Sequence, residues 1–126
     1  MKGSYFIIPL VIYPFDIMVS IDEKDEILLK RLIKYGNIKE DCKNLLNLKD
    51  TIRGRYCLLS SNQSVIRLKK QLDKYEMIDV ISHEVFHTIT YILDKVGISL
   101  ELCVSDEVYA YLIGYLNKEI CKRLKI

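Results

Sequence analysis

The chain has 126 residues, enough for one domain that buries a core without disulfides or a structural metal. Half of its residues are hydrophobic and 29% are charged, the balance of an ordinary globular protein. The formal net charge is +2, with Lys and Arg interleaved with acids along the whole chain, a weaker basic bias than a dedicated nucleic-acid binder usually shows.

Tyr5 to Ser20 is rich in Ile, Val, Tyr and Phe and is broken by Pro9 and Pro14, as expected of one long bent strand or two short ones. Lys2 precedes this run, but Pro9, Pro14 and Asp16 interrupt it and no small-residue cleavage site follows. It therefore reads neither as a signal peptide nor as a membrane span, and the expectation is a cytosolic protein. Asp22 offers a helix N-cap, with Glu23, Asp25 and Glu26 in the first turn. Ile27, Leu28, Leu32, Ile33 and Tyr35 supply the apolar spacing, and Gly36 the stop. Residues 38–48 suit a second, shorter helix.

Two strands are expected at 55–60 and 64–69, joined by Ser61-Asn62-Gln63 as a hairpin turn without glycine. Arg67 and Lys69 alternate with apolar residues, the pattern of an edge strand with one wet face. Val65, Ile66, Arg67 and Leu68 are accordingly a candidate strand for pairing with an extended peptide. Residues 73–96 carry the longest helical period, through Ile78, Ile81, Val85, Ile89, Ile92 and Val96, and Gly97 ends it. Ser105 is positioned to cap a last helix from Asp106 to about Leu124, with a buried stripe of Val108, Leu112, Ile113, Leu116 and Ile120. The expected fold is a single α+β domain, 1–126: a short sheet with a hairpin, packed on two C-terminal helices.

The four cysteines, Cys42, Cys57, Cys103 and Cys121, form no C-x-x-C pair and sit among apolar neighbours. They are expected to be reduced and mostly buried, as in a reducing compartment.

Residues 83–87 read His-Glu-Val-Phe-His, and these two histidines are the only ones in the chain. On a helix, positions four apart share a face, so His83 and His87 can present two imidazole nitrogens to one zinc ion. Glu84, about a hundred degrees round the helix, can act as general base on a water held there. A hydrolytic zinc site takes three protein ligands and leaves one position open. Glu107 follows His87 with nineteen residues between, a gap that fits a helix end, a turn at Gly97 and a second helix. Asp106 is its neighbour and rival, and Glu101 a weaker one. Tyr91, Tyr109, Tyr111 and Tyr115 are candidates to stabilise an oxyanion or support the ligands.

His83-Glu84-Val85-Phe86-His87 with Glu107 at this spacing resembles the gluzincin clan of zinc metallopeptidases over roughly residues 75–116. The stretch from Ser105 to Leu112, the proline-bearing N-terminal strand and the Ser-Ser-Asn-Gln hairpin are similar to those of small zincin-like proteins encoded by bacteriophages. The resemblance implies one Zn2+ per chain and a His-His-Glu ligand set. The function it implies is either cleavage of a peptide or protein substrate, or non-catalytic binding of a protein target by a phage accessory or virion protein. From the charge pattern and the broken apolar run, neither a nucleic-acid nor a membrane partner is expected. Thermolysin-like enzymes place an Asp four residues after the ligand Glu, where this chain has Tyr111. Thr90 and Leu93 stand where a metzincin would have its Gly and third His.

Overall fold

The computed structural model describes residues 3–10 and 13–126. Val11 and Ile12, within the run expected to be extended, and Lys2 lie outside the described residues. The chain divides into two compact units, Met1–Lys70 and Gln71–Ile126, each taken here by itself. The described part is α+β, as the sequence pattern predicts.

The first unit is a four-stranded mixed sheet with a helix and a 3₁₀ turn. Strands β1 (Ser4–Leu10) and β2 (Phe15–Ile21) pair antiparallel, so the proline-broken run is two strands. Helix α1 (Asp25–Lys34) and a 3₁₀ helix (Lys39–Leu45) then carry the chain to β3 (Gly54–Leu58) and β4 (Ser64–Leu68), the expected hairpin. Asn62, at φ 66°, supplies the left-handed residue that a glycine would usually provide. The 3₁₀ helix stands where a short α-helix is expected, with Cys42 and Leu45 turned inward.

The strand order is β1-β2-β4-β3, with β2 and β4 parallel. This corrects the reading of Val65, Ile66, Arg67 and Leu68 as an edge strand. β4 is an interior strand whose backbone pairs with β2 on one side and β3 on the other, leaving no free edge for a substrate peptide. Interior strands are buried on both faces and read as near-continuous apolar runs, which describes Ile17 to Ile21 and Val65 to Leu68 apart from Ser20 and Arg67.

Those two polar residues are opposite each other in register and belong to one ionic network. Glu23 receives both guanidinium nitrogens of Arg31 and the Ser20 hydroxyl, the latter at 2.7 Å. Arg67 donates to Asp25 Oδ1 at 2.5 Å and to the carbonyls of Leu45 and Glu23 at 2.6 and 2.5 Å. Arg67 is thus an anchor between strand, helix and loop rather than a solvated strand residue. Burial alone would push the Glu23 carboxyl up. The Arg31 and Ser20 hydrogen bonds and the Arg31 and Arg67 charges outweigh it and hold the group below its ordinary value. Asp25 behaves alike: burial raises it, and the Asn47 N–H together with Arg67 brings it below its ordinary value. The Glu23 hydrogen bond, against the opposing effect of burial, raises Arg31.

The start of α1 also differs from the expectation. Asp22 does not cap it. Asp22 sits at φ 54° and its carboxylate accepts the Lys70 N–H at 2.9 Å, while Lys24 occupies the N-cap without a side-chain bond. Beneath α1, Met18, Leu28, Leu32, Cys42, Leu45, Leu59 and Val65 form the apolar core of the unit. Ile27, Ile33 and Tyr35, expected on the buried stripe, are about half exposed.

The second unit is two packed helices, α2 (Lys74–Lys95) and α3 (Asp106–Leu124). Asp73 caps α2 by accepting the Tyr75 N–H at 3.0 Å. Gly97, at φ 86°, ends the helix in a conformation that disfavours a side chain. Met77, Val80, Ile81, Val85, Ile89, Ile92 and Leu93 are the buried stripe of α2, and Tyr109, Leu112, Leu116 and Ile120 that of α3. Ser105 stands at the N-cap of α3 and its carbonyl accepts the Val108 and Tyr109 N–H groups, but its side chain makes no bond to the helix. Its hydroxyl donates to the Ser99 carbonyl and accepts the Glu101 N–H at 2.9 Å, closing the loop between the helices instead of capping α3.

All four cysteines are free. Only Cys42 is fully buried; Cys57 and Cys121 are half-buried and Cys103 is exposed, which corrects the expectation of mostly buried thiols. Burial pushes the Cys42, Cys57 and Cys121 thiols up. No helix among the described residues is long and apolar enough to cross a membrane.

Candidate metal centre

The middle of α2 carries the histidine pair, because an uninterrupted helix from 74 to 95 fixes residues 83 and 87 one turn apart. Their Nε2 atoms stand 3.2 Å apart, with ring centroids 4.9 Å apart and the planes at 74°. Two nitrogens bound to one tetrahedral zinc at the usual bond length stand about 3.3 Å apart. The pair therefore has a spacing compatible with two ligands to a single ion, which is equally that of a hydrogen bond between the two rings. His83 is exposed and His87 half-buried, so the nitrogens are open to solvent on one side.

Glu84 lies on the opposite side of this boundary. It is buried, 5% exposed, in the apolar stripe of α2, and its Oε2 is 3.9 Å from His83 Nε2. That exceeds a hydrogen bond but is within reach of a group held between the carboxylate and the ring. Thr88, four residues on, returns its hydroxyl to the Glu84 carbonyl at 2.8 Å. Two exposed aromatic rings flank His87: Phe86 with a centroid at 6.2 Å and Tyr91 at 6.4 Å.

The rest of the sequence-derived set is not gathered here. Glu107 is exposed and Asp106 half-exposed in the first turn of α3, where an acid is favoured by the helix dipole. Among the described residues, no three His, Cys, Asp or Glu side chains are grouped to hold a metal ion, so neither these acids nor Glu101 stands with the histidines as a third ligand. Tyr109 is buried and its hydroxyl donates to the Ile98 carbonyl at 2.5 Å, tying α3 to the loop that precedes it. That bond gives Tyr109 a structural task. Tyr111 is 76% exposed on another side of α3. Val65 to Leu68 belong to the interior strand of the first unit.

Sequence reasoning did not single out Phe86 as a neighbour of the site. The signal was present: a large apolar residue placed between the buried Val85 and the candidate ligand His87, off the buried stripe. The Glu23–Arg31 and Arg67–Asp25 pairs were likewise missed, although an arginine between Ile66 and Leu68 in a strand needs a partner whenever both faces are covered.

No protein family, curated protein or solved structure matches the chain.

Proposed function

We propose that the chain is a zinc-dependent hydrolase, most simply a peptidase, in which His83 and His87 hold the ion and Glu84 is the general base. The single observation that carries this reading is the 3.2 Å separation of the two Nε2 atoms, with the Glu84 carboxylate 3.9 Å from one of them. Zinc, when bound, supplies Lewis acidity toward a carbonyl oxygen and makes water acidic enough to react at neutral pH. Glu84 takes a proton from the attacking water and returns it to the leaving amine. Its burial limits competing solvent at the carboxylate and fixes its direction. Glu107 is the third ligand in this reading, on the resemblance of the His-Glu-x-x-His…Glu spacing to the gluzincins, and its exposed side chain joins the pair only when the ion is present.

Metal analysis of the purified chain tests the ligand set. The expected result is one zinc per chain, lost in both His83→Ala and Glu107→Ala. Glu84→Gln, which keeps the side-chain volume, is expected to retain the zinc and lose cleavage by at least two orders of magnitude, the usual scale of a lost general base. Cleavage of a denatured protein substrate that survives Glu84→Gln would sink the mechanism.

That no third ligand stands beside the histidines among the described residues favours a second reading. In it the helix belongs to a non-catalytic protein of the phage accessory or virion kind that binds a protein target. Zinc well below one per chain, together with a stoichiometric partner and no cleavage products in native mass spectrometry against host lysate, supports this alternative.

A further inference from the structure

The first unit has a surface groove of about 450 Å³ between β1 and α1 that takes no part in the hydrolase reading. Its lining is Tyr5, Ile27, Lys30, Arg31, Lys34 and Tyr35, three cations and two tyrosines with no acid among them. The helical members recur at three- and four-residue spacing and so share the outer face of α1. Tyr5, Ile27 and Tyr35 are 44%, 51% and 50% exposed, so the floor is apolar and open. Lys30 and Lys34 are exposed, one helical turn apart. Arg31 is fixed: Glu23 holds its guanidinium by two hydrogen bonds and the group lies 3.4 Å from the Tyr5 ring centroid, which locks that ring in place.

Aromatic faces beside a net positive rim fit a ligand with a flat ring and an anionic group. A bare anion leaves the tyrosines unused, and a peptide of Asp and Glu alone brings no ring to them. A nucleic-acid strand calls for a continuous cationic track, whereas the cations here converge on one small pocket. The volume lies within the range of small-ligand sites. We propose that this groove binds a nucleoside phosphate, its base against Tyr5 and Tyr35 and its phosphate on Lys30 and Lys34.

Titration calorimetry on the full chain tests this with the four ribonucleoside monophosphates, adenosine, inorganic phosphate and a short single-stranded oligonucleotide, each with and without a zinc chelator. At least one monophosphate is expected to bind tenfold or more tighter than adenosine or phosphate alone, chelator or not. That independence separates this site from the hydrolase reading. Tyr35→Ala and the double variant Lys30→Glu/Lys34→Glu are each expected to weaken binding about tenfold or more, the scale of one lost ring stack, with the melting temperature unchanged because these side chains are exposed. Phosphate binding as tightly as the monophosphates, an oligonucleotide binding where no monophosphate does, or affinity indifferent to both variants would each overturn the proposal.

Discussion

Glu23 shows how much one side chain decides in this molecule. It is 8% exposed, charged, and surrounded by donors: two from Arg31 and one from Ser20. Removing Arg31 strands a buried carboxylate, and Arg31→Ala is expected to cost about 3 kcal/mol in urea unfolding, the low end for a broken buried pair because Arg31 is itself partly exposed. The pH dependence follows from the direction of the shifts. The folded-state values of Glu23 and Asp25 lie below their ordinary ones, so the stability they contribute is complete above the ordinary carboxylate range and is lost as the pH falls through the depressed values. Glu23→Gln should therefore be less stable than the wild type at neutral pH, and the gap should narrow as the pH drops below about 4. A gap that stays constant from neutral to acid pH would show that packing, and not charge, is what Glu23 contributes. At the same scale, the residues for the metal reading were legible because their chemistry is local: a helix fixes His83 against His87 whatever else the chain does. Glu107 was not legible in the same way, since its position depends on the loop through Cys103, which sits at φ 65° between two exposed apolar residues.

Among the elements, legibility tracked how much of the signal was carried by neighbours in sequence. The bounds of α2 were readable because Asp73 and Gly97 are chemical punctuation, one accepting an orphan N–H and the other adopting a positive φ. Asp73→Ala is expected to lower stability by about 1 kcal/mol, seen as a fall in the melting temperature. Gly97→Ala is expected to cost about 1 kcal/mol through backbone strain alone, since a Cβ there meets nothing within 4 Å. If Gly97→Ala melts with the wild type, the left-handed conformation is not what ends the helix. Asp22 looked like the same kind of punctuation and is not, because the distant Lys70 N–H claims it; Ser105 does mark the start of α3, but its hydroxyl serves the loop at Ser99 and Glu101. The position of β4 was illegible for a related reason. Alternation of Arg67 and Lys69 with apolar residues matches an edge strand, and only the Asp25 carboxylate on α1, the Glu23 carbonyl before it and the Leu45 carbonyl at the end of the 3₁₀ helix reveal that Arg67 is held inward.

At the scale of the whole molecule, the chain passes from one compact unit to the other at Lys70–Gln71. Leu72 is fully exposed, and Lys70 and Lys74 lie beside it outside the interior of any helix. Limited trypsin treatment is expected to cut after Lys70 before it cuts at any lysine inside α2 or α3, where cleavage must wait for local opening. Mass spectrometry of the first fragments checks this, and early fragments from within α2 would contradict it. The mixed sheet has a further kinetic meaning. Each antiparallel pair, β1 with β2 and β3 with β4, joins segments close in the chain and can zip from its own connection. The parallel seam of β2 with β4 cannot, since residues 22–63 must first be gathered into a compact crossover before Met18 meets Val65. The two ribbons are thus expected to pair early and the seam between them late, with that closure expected to limit the rate at which this unit folds.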